Sequence, residues 1–204
     1  MIWDSGMLLS PGTPVLKERV WKGKRVWDPK HSKLAALFHK ITIPELELDA
    51  TMRILYLGAG NGTTVSFVAD YGEVVYAIEP APEPMTDLIS LAQKRSNIIP
   101  LLSDARKPKE YAGLIEEVDM VYQDVAQPNQ IEIFLANCEI FLKNGGIGVI
   151  MLKTRSIDVR QDPKDLSDAA VQTLSSSGYL VLERVWLEPW HKDHSALICR
   201  KVER

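Results

Sequence analysis

The chain has 204 residues, is 46% hydrophobic and 25% charged, and carries a formal net charge of −3. That suits one soluble domain of ordinary size with a small appendage, and no apolar run is long enough to cross a bilayer. The negative balance argues against a protein that holds RNA or DNA unaided, so positive charge for such a ligand must be local or come from a partner.

The first residues, MIWDSGMLLSPG, lack the basic start and long apolar stretch of a signal peptide. Residues 1–28 read as a short N-terminal β region. Val15, Val20, Trp21, Val26 and Trp27 alternate with charged residues, and Lys22-Gly23 supplies a turn. The stretch KERVWKGKRVWDPKHSK (17–33) is basic, with Trp21 and Trp27 interleaved. It reads either as a contact for RNA phosphates or as a solvated hairpin face. SKLAALFH (32–39) has helical spacing, and Ser32 is a suitable N-cap.

From Arg53 onward short apolar runs alternate with amphipathic ones. ILYL (54–57), VVYAIE (74–79), IIPLL (98–102), VDMVYQD (118–124) and IGVIML (147–152) are the expected strands. MTDLISLAQKR (85–95) and NQIEIFLANCEIFLKN (129–144) are expected helices, the second closed by Gly145 and Gly146 as a C-cap. Such alternation predicts a parallel sheet covered by helices on both faces. PKDLSDAAVQTLSSSG (163–178) is a further helix. YLVLERVWL (179–187) and SALICRKV (195–202) are joined too closely for a crossover helix, so they should pair antiparallel. Seven strands with a terminal antiparallel pair give an α/β, Rossmann-like, class I methyltransferase domain over residues 29–204. Cys138 and Cys199 lie in unrelated contexts, so neither a disulfide framework nor a metal site is expected, and a reducing cytoplasmic compartment is.

The glycine turn narrows the ligand. Gly58, Gly60 and Gly62 follow the first long strand with G-x-G-x-G spacing. Thr63 stands where a dinucleotide fingerprint needs its third glycine, and no Lys-Ser or Lys-Thr follows as in a phosphate loop. Glu79 ends the second strand, where a carboxylate can take both ribose hydroxyls. Asp104 ends the third, in reach of an adenine amino group, and Asp124 ends the fourth, beside the reacting centre. Taken alone, the glycines could be only a tight strand-to-helix turn. Three acids at successive strand ends, where open α/β sheets bind ligands, favour an adenosine with a zwitterionic tail, of which S-adenosylmethionine is the common case.

WDPKHSKLAA, LYLGAGNGTTVS, RSNIIPLLSDAR, DVAQPNQ and FLKNGG together resemble the fibrillarin family, the 2′-O-methyltransferases of box C/D guide ribonucleoproteins, in its archaeal form. The resemblance runs from Trp27 to the C-terminus, and there is no Gly/Arg-rich nucleolar tail. It implies cofactor contacts at Thr63, Thr64, Glu79, Pro80, Asp104, Ala105, Asp124, Val125, Ala126 and Gln127. Pro80 stands where the family usually has an aromatic residue, which removes a stacking partner for adenine. The resemblance also implies guide and target RNA, a Nop-domain scaffold protein and a kink-turn-binding ribosomal-type protein as partners.

RNA 2′-O-methyltransferases commonly use a Lys-Asp-Lys-Glu set, and the matching positions here are Lys33, Asp124, Lys153 and His194. Lys153 could act as base or only orient the hydroxyl, with Asp124 holding it and Lys33 adding a second positive charge. Lys33 by itself would read as a solvated helix residue, and His191 competes with His194. Three functions stay open: an RNA ribose methyltransferase, a cofactor-binding scaffold subunit, and a methyltransferase for another substrate. DVAQP in place of an Asn/Asp-Pro-Pro-aromatic sequence argues against amino-group methylation.

Overall fold

A computed structural model describes residues 1–202. Four short strands come first: β1 (Ile2–Asp4), β2 (Met7–Ser10), β3 (Val20–Trp21) and β4 (Lys24–Val26), in the antiparallel order β1-β2-β4-β3. The expected hairpin at Lys22-Gly23 is β3–β4, and both turn residues have positive φ (47° and 75°). Ser5 and Gly6 repeat that geometry (51° and 73°) in the β1–β2 hairpin, which the sequence reading did not anticipate.

This small sheet shares its core with the rest of the chain. Leu8 and Trp27 are fully buried, and Trp27 stacks on Phe67 with ring centroids 5.1 Å apart. Arg25 is also fully buried. Its guanidinium donates to the Ser66 carbonyl at 2.8 Å and the Ser66 hydroxyl at 2.7 Å, and pairs with Glu18 and with Asp70. Burying an arginine requires such complete pairing. Neither reading of the basic stretch 17–33 therefore holds for Arg25 or Trp27, which point inward.

The helix α1 (Lys33–Lys40) begins where Ser32 caps it, its hydroxyl accepting from the Ala35 amide. The main sheet then builds from β5 (Arg53–Leu57), β6 (Val74–Glu79), β7 (Ile98–Leu102), β8 (Val118–Gln123), β9 (Leu142–Lys153), β10 (Tyr179–Trp186) and β11 (His194–Lys201). Its order is β10-β11-β9-β8-β5-β6-β7, with β5 to β9 parallel and the last two strands antiparallel. Helices α2 (Thr63–Val68), α3 (Pro82–Ala92), α4 (Gln130–Phe141), α5 (Thr154–Ile157) and α6 (Pro163–Ser176) connect the strands. Two buried clusters result, one on each face of the sheet.

One boundary differs from the sequence reading. Gly145 and Gly146 do not cap α4, which stops at Phe141. Lys201 caps it instead, its ammonium donating to the carbonyls of Cys138 and Leu142 at 2.9 and 2.6 Å. Leu142 already pairs with Val118, and the glycines lie in an irregular stretch of β9 before regular pairing resumes at Ile147. No helix among the described residues is long and apolar enough to cross a membrane.

Candidate cofactor cleft and active site

The site lies at the carboxyl ends of β5, β6, β7 and β8, where the strand order reverses. Gly58 has φ +79°, and a Cβ on it would sit 2.5 Å from the Asp124 carbonyl oxygen. Only glycine lets β5 end that close to β8. Gly60 (φ +54°) has nothing within 4 Å of where its Cβ would be, so it leaves open space beside the turn. The Gly58 and Ala59 amides both donate to the Ile78 carbonyl at 3.0 Å, which ties the turn to β6.

A cavity of about 330 Å³ opens there. Gly58, Gly60, Glu79, Pro80, Asp104, Ala105, Asp124, Val125, Ala126 and Gln127 line it, together with Arg106 and Ile133. Ten of the thirteen residues named as cofactor contacts thus converge on one space of ligand size. The other three do not line it. Gly62 is buried under α3, and a Cβ there would meet Leu91 at 2.6 Å. The Thr64 hydroxyl donates to Ser32 at 3.0 Å. Thr63 faces an adjoining cleft beside Ser32 and His31.

Glu79 is held before any ligand arrives. It is 8% exposed, and its two oxygens accept from the Gly60 amide at 2.8 Å and the Ala81 amide at 2.9 Å. Each oxygen keeps a free lone pair, so the carboxylate can still accept from a vicinal diol. Asp104 is engaged differently. Its carboxylate takes the Arg106 guanidinium through both oxygens at 2.6–3.1 Å, and that hydrogen-bonded pair holds its pKa below the usual carboxylate value. Arg106 is a cavity residue that the sequence reading missed. The only signal was its place two positions after Asp104, where a flexible cation can fold back on the acid.

The proposed acceptor side stands at the Asp124 edge of the cavity. Asp124 follows β8, and its amide donates to the Leu57 carbonyl at 2.9 Å. Both of its carboxylate oxygens accept from Lys33 Nζ at 2.9 Å. Lys33, which opens α1, is thus drawn into the site and is not a solvated helix residue. Asp124 was expected to hold Lys153, and that pairing is absent among the described residues: the aspartate engages Lys33 instead. Lys153 ends β9 next to β8, and its Nζ has no hydrogen-bond or ion-pair partner among the described residues.

Directly opposite Lys153 in the β9–β11 register is His194. Its Nδ1 lies 2.7 Å from the Lys192 carbonyl oxygen. A carbonyl can only accept, so Nδ1 carries the proton and Nε2 keeps its lone pair. His191 has the opposite arrangement, with Nε2 donating to the Pro29 carbonyl at 2.8 Å, and the two rings are 6.0 Å apart. Burial lowers both pKa values below the ordinary histidine range, with Lys33 acting in the same direction. No cluster of His, Cys, Asp and Glu among the described residues could hold a metal ion.

The described geometry matches a known group of proteins. The fibrillarin family model matches residues 7–203. A fibrillarin-like rRNA/tRNA 2′-O-methyltransferase of Methanoculleus marisnigri is 52% identical over 205 residues, 100% of both chains. In a crystal structure of a fibrillarin/Nop5p complex, the matching chain is 40% identical with a TM-score of 0.86, covering 96% of this chain and 94% of that one. Aeropyrum pernix fibrillarin, crystallised with natively bound S-adenosyl-L-methionine, is 38% identical with a TM-score of 0.81, covering 93% and 85%. With a family model spanning nearly its whole length and a relative more than half identical end to end, the chain belongs to the fibrillarin family.

Proposed function

We propose that this protein transfers a methyl group from S-adenosylmethionine to the ribose 2′ oxygen of ribosomal RNA, with tRNA as a further substrate, as the catalytic subunit of a box C/D guide ribonucleoprotein. The observation that carries the reading is the Lys33–Asp124 pair at the edge of the cavity, with His194, which feels the charge of both, standing opposite Lys153 in the β9–β11 register. A scaffold subunit would have no need of an unpaired lysine and an acceptor histidine there. The full-length likeness to named rRNA/tRNA 2′-O-methyltransferases supports the same reading.

The cavity residues fit the cofactor. Glu79, pinned by two amides, would hold the ribose hydroxyls, and Asp104 the adenine amino group once Arg106 shares or yields it. Pro80, Ala105, Val125, Ala126 and Gln127 would wall the nucleoside. The Gly58–Gly60 turn would take the amino-acid tail, with Gly62, Thr63 and Thr64 shaping the start of α2 behind it. When bound, S-adenosylmethionine supplies a sulfonium-activated methyl. A ribose hydroxyl is a poor nucleophile, so the protein must take its proton and aim its lone pair. Lys153 Nζ, free of partners among the described residues, would accept the 2′ proton as the neutral amine, becoming the ammonium. His194 Nε2 would receive a hydrogen bond from the acceptor ribose or from Lys153. Lys33 fixes Asp124 through both oxygens, which keeps that carboxylate from capturing Lys153.

Cofactor recognition has its own test. Glu79→Ala should weaken S-adenosylmethionine binding by about 1–3 kcal/mol, since it removes the ribose hydrogen bonds and frees two amides. Calorimetry on wild type and variant measures this directly, and equal affinity would remove Glu79 from the site. The reaction is tested by the alkali resistance that a 2′-O-methyl group confers on the adjacent phosphodiester. RNA treated with the assembled protein should gain one protected position, and unchanged cleavage would refute ribose methylation.

A further inference from the structure

We infer that Gln130 is the positioning residue for Lys153, an inference that rests on the reading of Lys153 given above. Gln130 is the first residue of α4 and is fully buried, an unusual place for a long amide side chain. Its two side-chain polar atoms both contact the backbone of a single residue, Lys153. The Lys153 amide donates to Gln130 Oε1 at 3.0 Å, and Gln130 Nε2 donates to the Lys153 carbonyl at 3.0 Å. Because an amide N–H only donates and a carbonyl only accepts, these partners also fix which way the glutamine amide faces.

The sheet explains why Lys153 needs such a partner. The β8 strand pairs with β9 only as far as Gln123, opposite Ile150. On the other side, Thr154 donates to the Asp193 carbonyl, so the neighbouring Lys153–His194 rung is the one without ladder hydrogen bonds. The Lys153 N–H and C=O therefore point toward the side that β8 has already left. Gln130 fills that gap as a one-residue strand, satisfying both groups. Gln130 is held in turn, since Gln123 Nε2, at the end of β8, donates to the Gln130 carbonyl at 2.8 Å. Gln123 and Gln130 bracket the loop that carries Asp124 to Gln127. The same clamp thus joins the ends of the cavity loop and fixes the backbone from which the Lys153 side chain extends. An extended lysine side chain amplifies small backbone shifts, and a displacement of about 1 Å at a reacting group can cost about 100-fold in rate.

The test is a double-mutant cycle on single-turnover methylation by the assembled ribonucleoprotein, with cofactor affinity measured alongside. Gln130→Met keeps the length and loses both hydrogen bonds. It should slow methylation at least about tenfold while leaving the cofactor dissociation constant within about twofold. Added to Lys153→Ala, it should cost nothing further, because Gln130 acts through that lysine. Gln130→Glu keeps the acceptor but sets an oxygen against the Lys153 carbonyl, and a protonated carboxyl restores the donor. Its rate relative to wild type should rise as pH falls from about 8 to about 6, since burial beside a carbonyl favours the neutral acid. A wild-type rate for Gln130→Met beside an impaired Lys153→Ala would overturn the role of Gln130 and leave that of Lys153 intact. Further loss in the double variant, or a Gln130→Glu ratio flat with pH, would also overturn it. A wild-type rate for Lys153→Ala would overturn both.

Discussion

Lys153→Ala is expected to leave S-adenosylmethionine affinity nearly unchanged and to slow methyl transfer by about 100-fold or more, the usual contribution of a positioned proton acceptor. Affinity should hold because the cavity is lined by residues at the carboxyl ends of β5, β6, β7 and β8 and by Ile133 of α4, and Lys153 is not among them. The rate should fall because Lys153 Nζ is the lysine nitrogen at the site without a partner among the described residues, Lys33 being committed to Asp124. Lys153→Arg separates two roles. A guanidinium keeps the positive charge and can orient a hydroxyl, but it cannot surrender its proton at working pH. The variant should therefore be as slow as Lys153→Ala. Near-normal turnover would show that the residue acts by charge alone, and proton removal would pass to His194 Nε2.

The purified chain alone should bind cofactor and scarcely methylate RNA, and adding guide RNA, a Nop-domain scaffold protein and a kink-turn-binding protein should raise the rate by about 100-fold or more, the scale set by orienting one reacting group. The net charge of −3 gives no general attraction for a polyanion. The basic stretch 17–33 contributes less than its composition suggests, because Arg25 is buried in an ion-pair cluster and Lys33 is paired with Asp124. What remains exposed there would neutralise only a few phosphates, giving weak and salt-sensitive contact. In-line displacement needs one ribose held still against the methyl, a constraint that a rigid guide duplex would supply. Gel-based detection of 2′-O-methylation with components omitted one at a time measures the dependence. Efficient, site-selective methylation by the chain alone would refute it.

Local signals were legible wherever a short stretch decides its own structure. The strands 74–79 and 98–102 have the bounds read from their apolar runs, and Ser32 caps α1 as its position at the head of SKLAALFH required. The acids at strand ends were legible because sheet topology places them without further information. Pairings between distant residues were not. Lys33 and Asp124 are 91 positions apart, and nothing near either names the other. Arg25 turns inward because Ser66 and Asp70 lie in wait on and after α2, which a basic stretch alone cannot reveal. The end of α4 was misplaced because its cap is Lys201, some sixty residues later, while two adjacent glycines imitated a local cap. Gln130 read as a helix residue, and only the early end of β8 shows what its amide does.

Ribose as the methyl acceptor is tested most directly at the acceptor atom itself. The measurement is transfer of labelled methyl from S-adenosylmethionine to two target RNAs in the assembled ribonucleoprotein, identical except that one carries a single 2′-deoxyribose at the guided nucleotide. The all-ribose target should take up one methyl per molecule, and the deoxy-substituted target none, with both RNAs binding equally. Undiminished labelling of the deoxy-substituted RNA would place the methyl on a base or a different nucleotide and contradict ribose 2′-O-methylation.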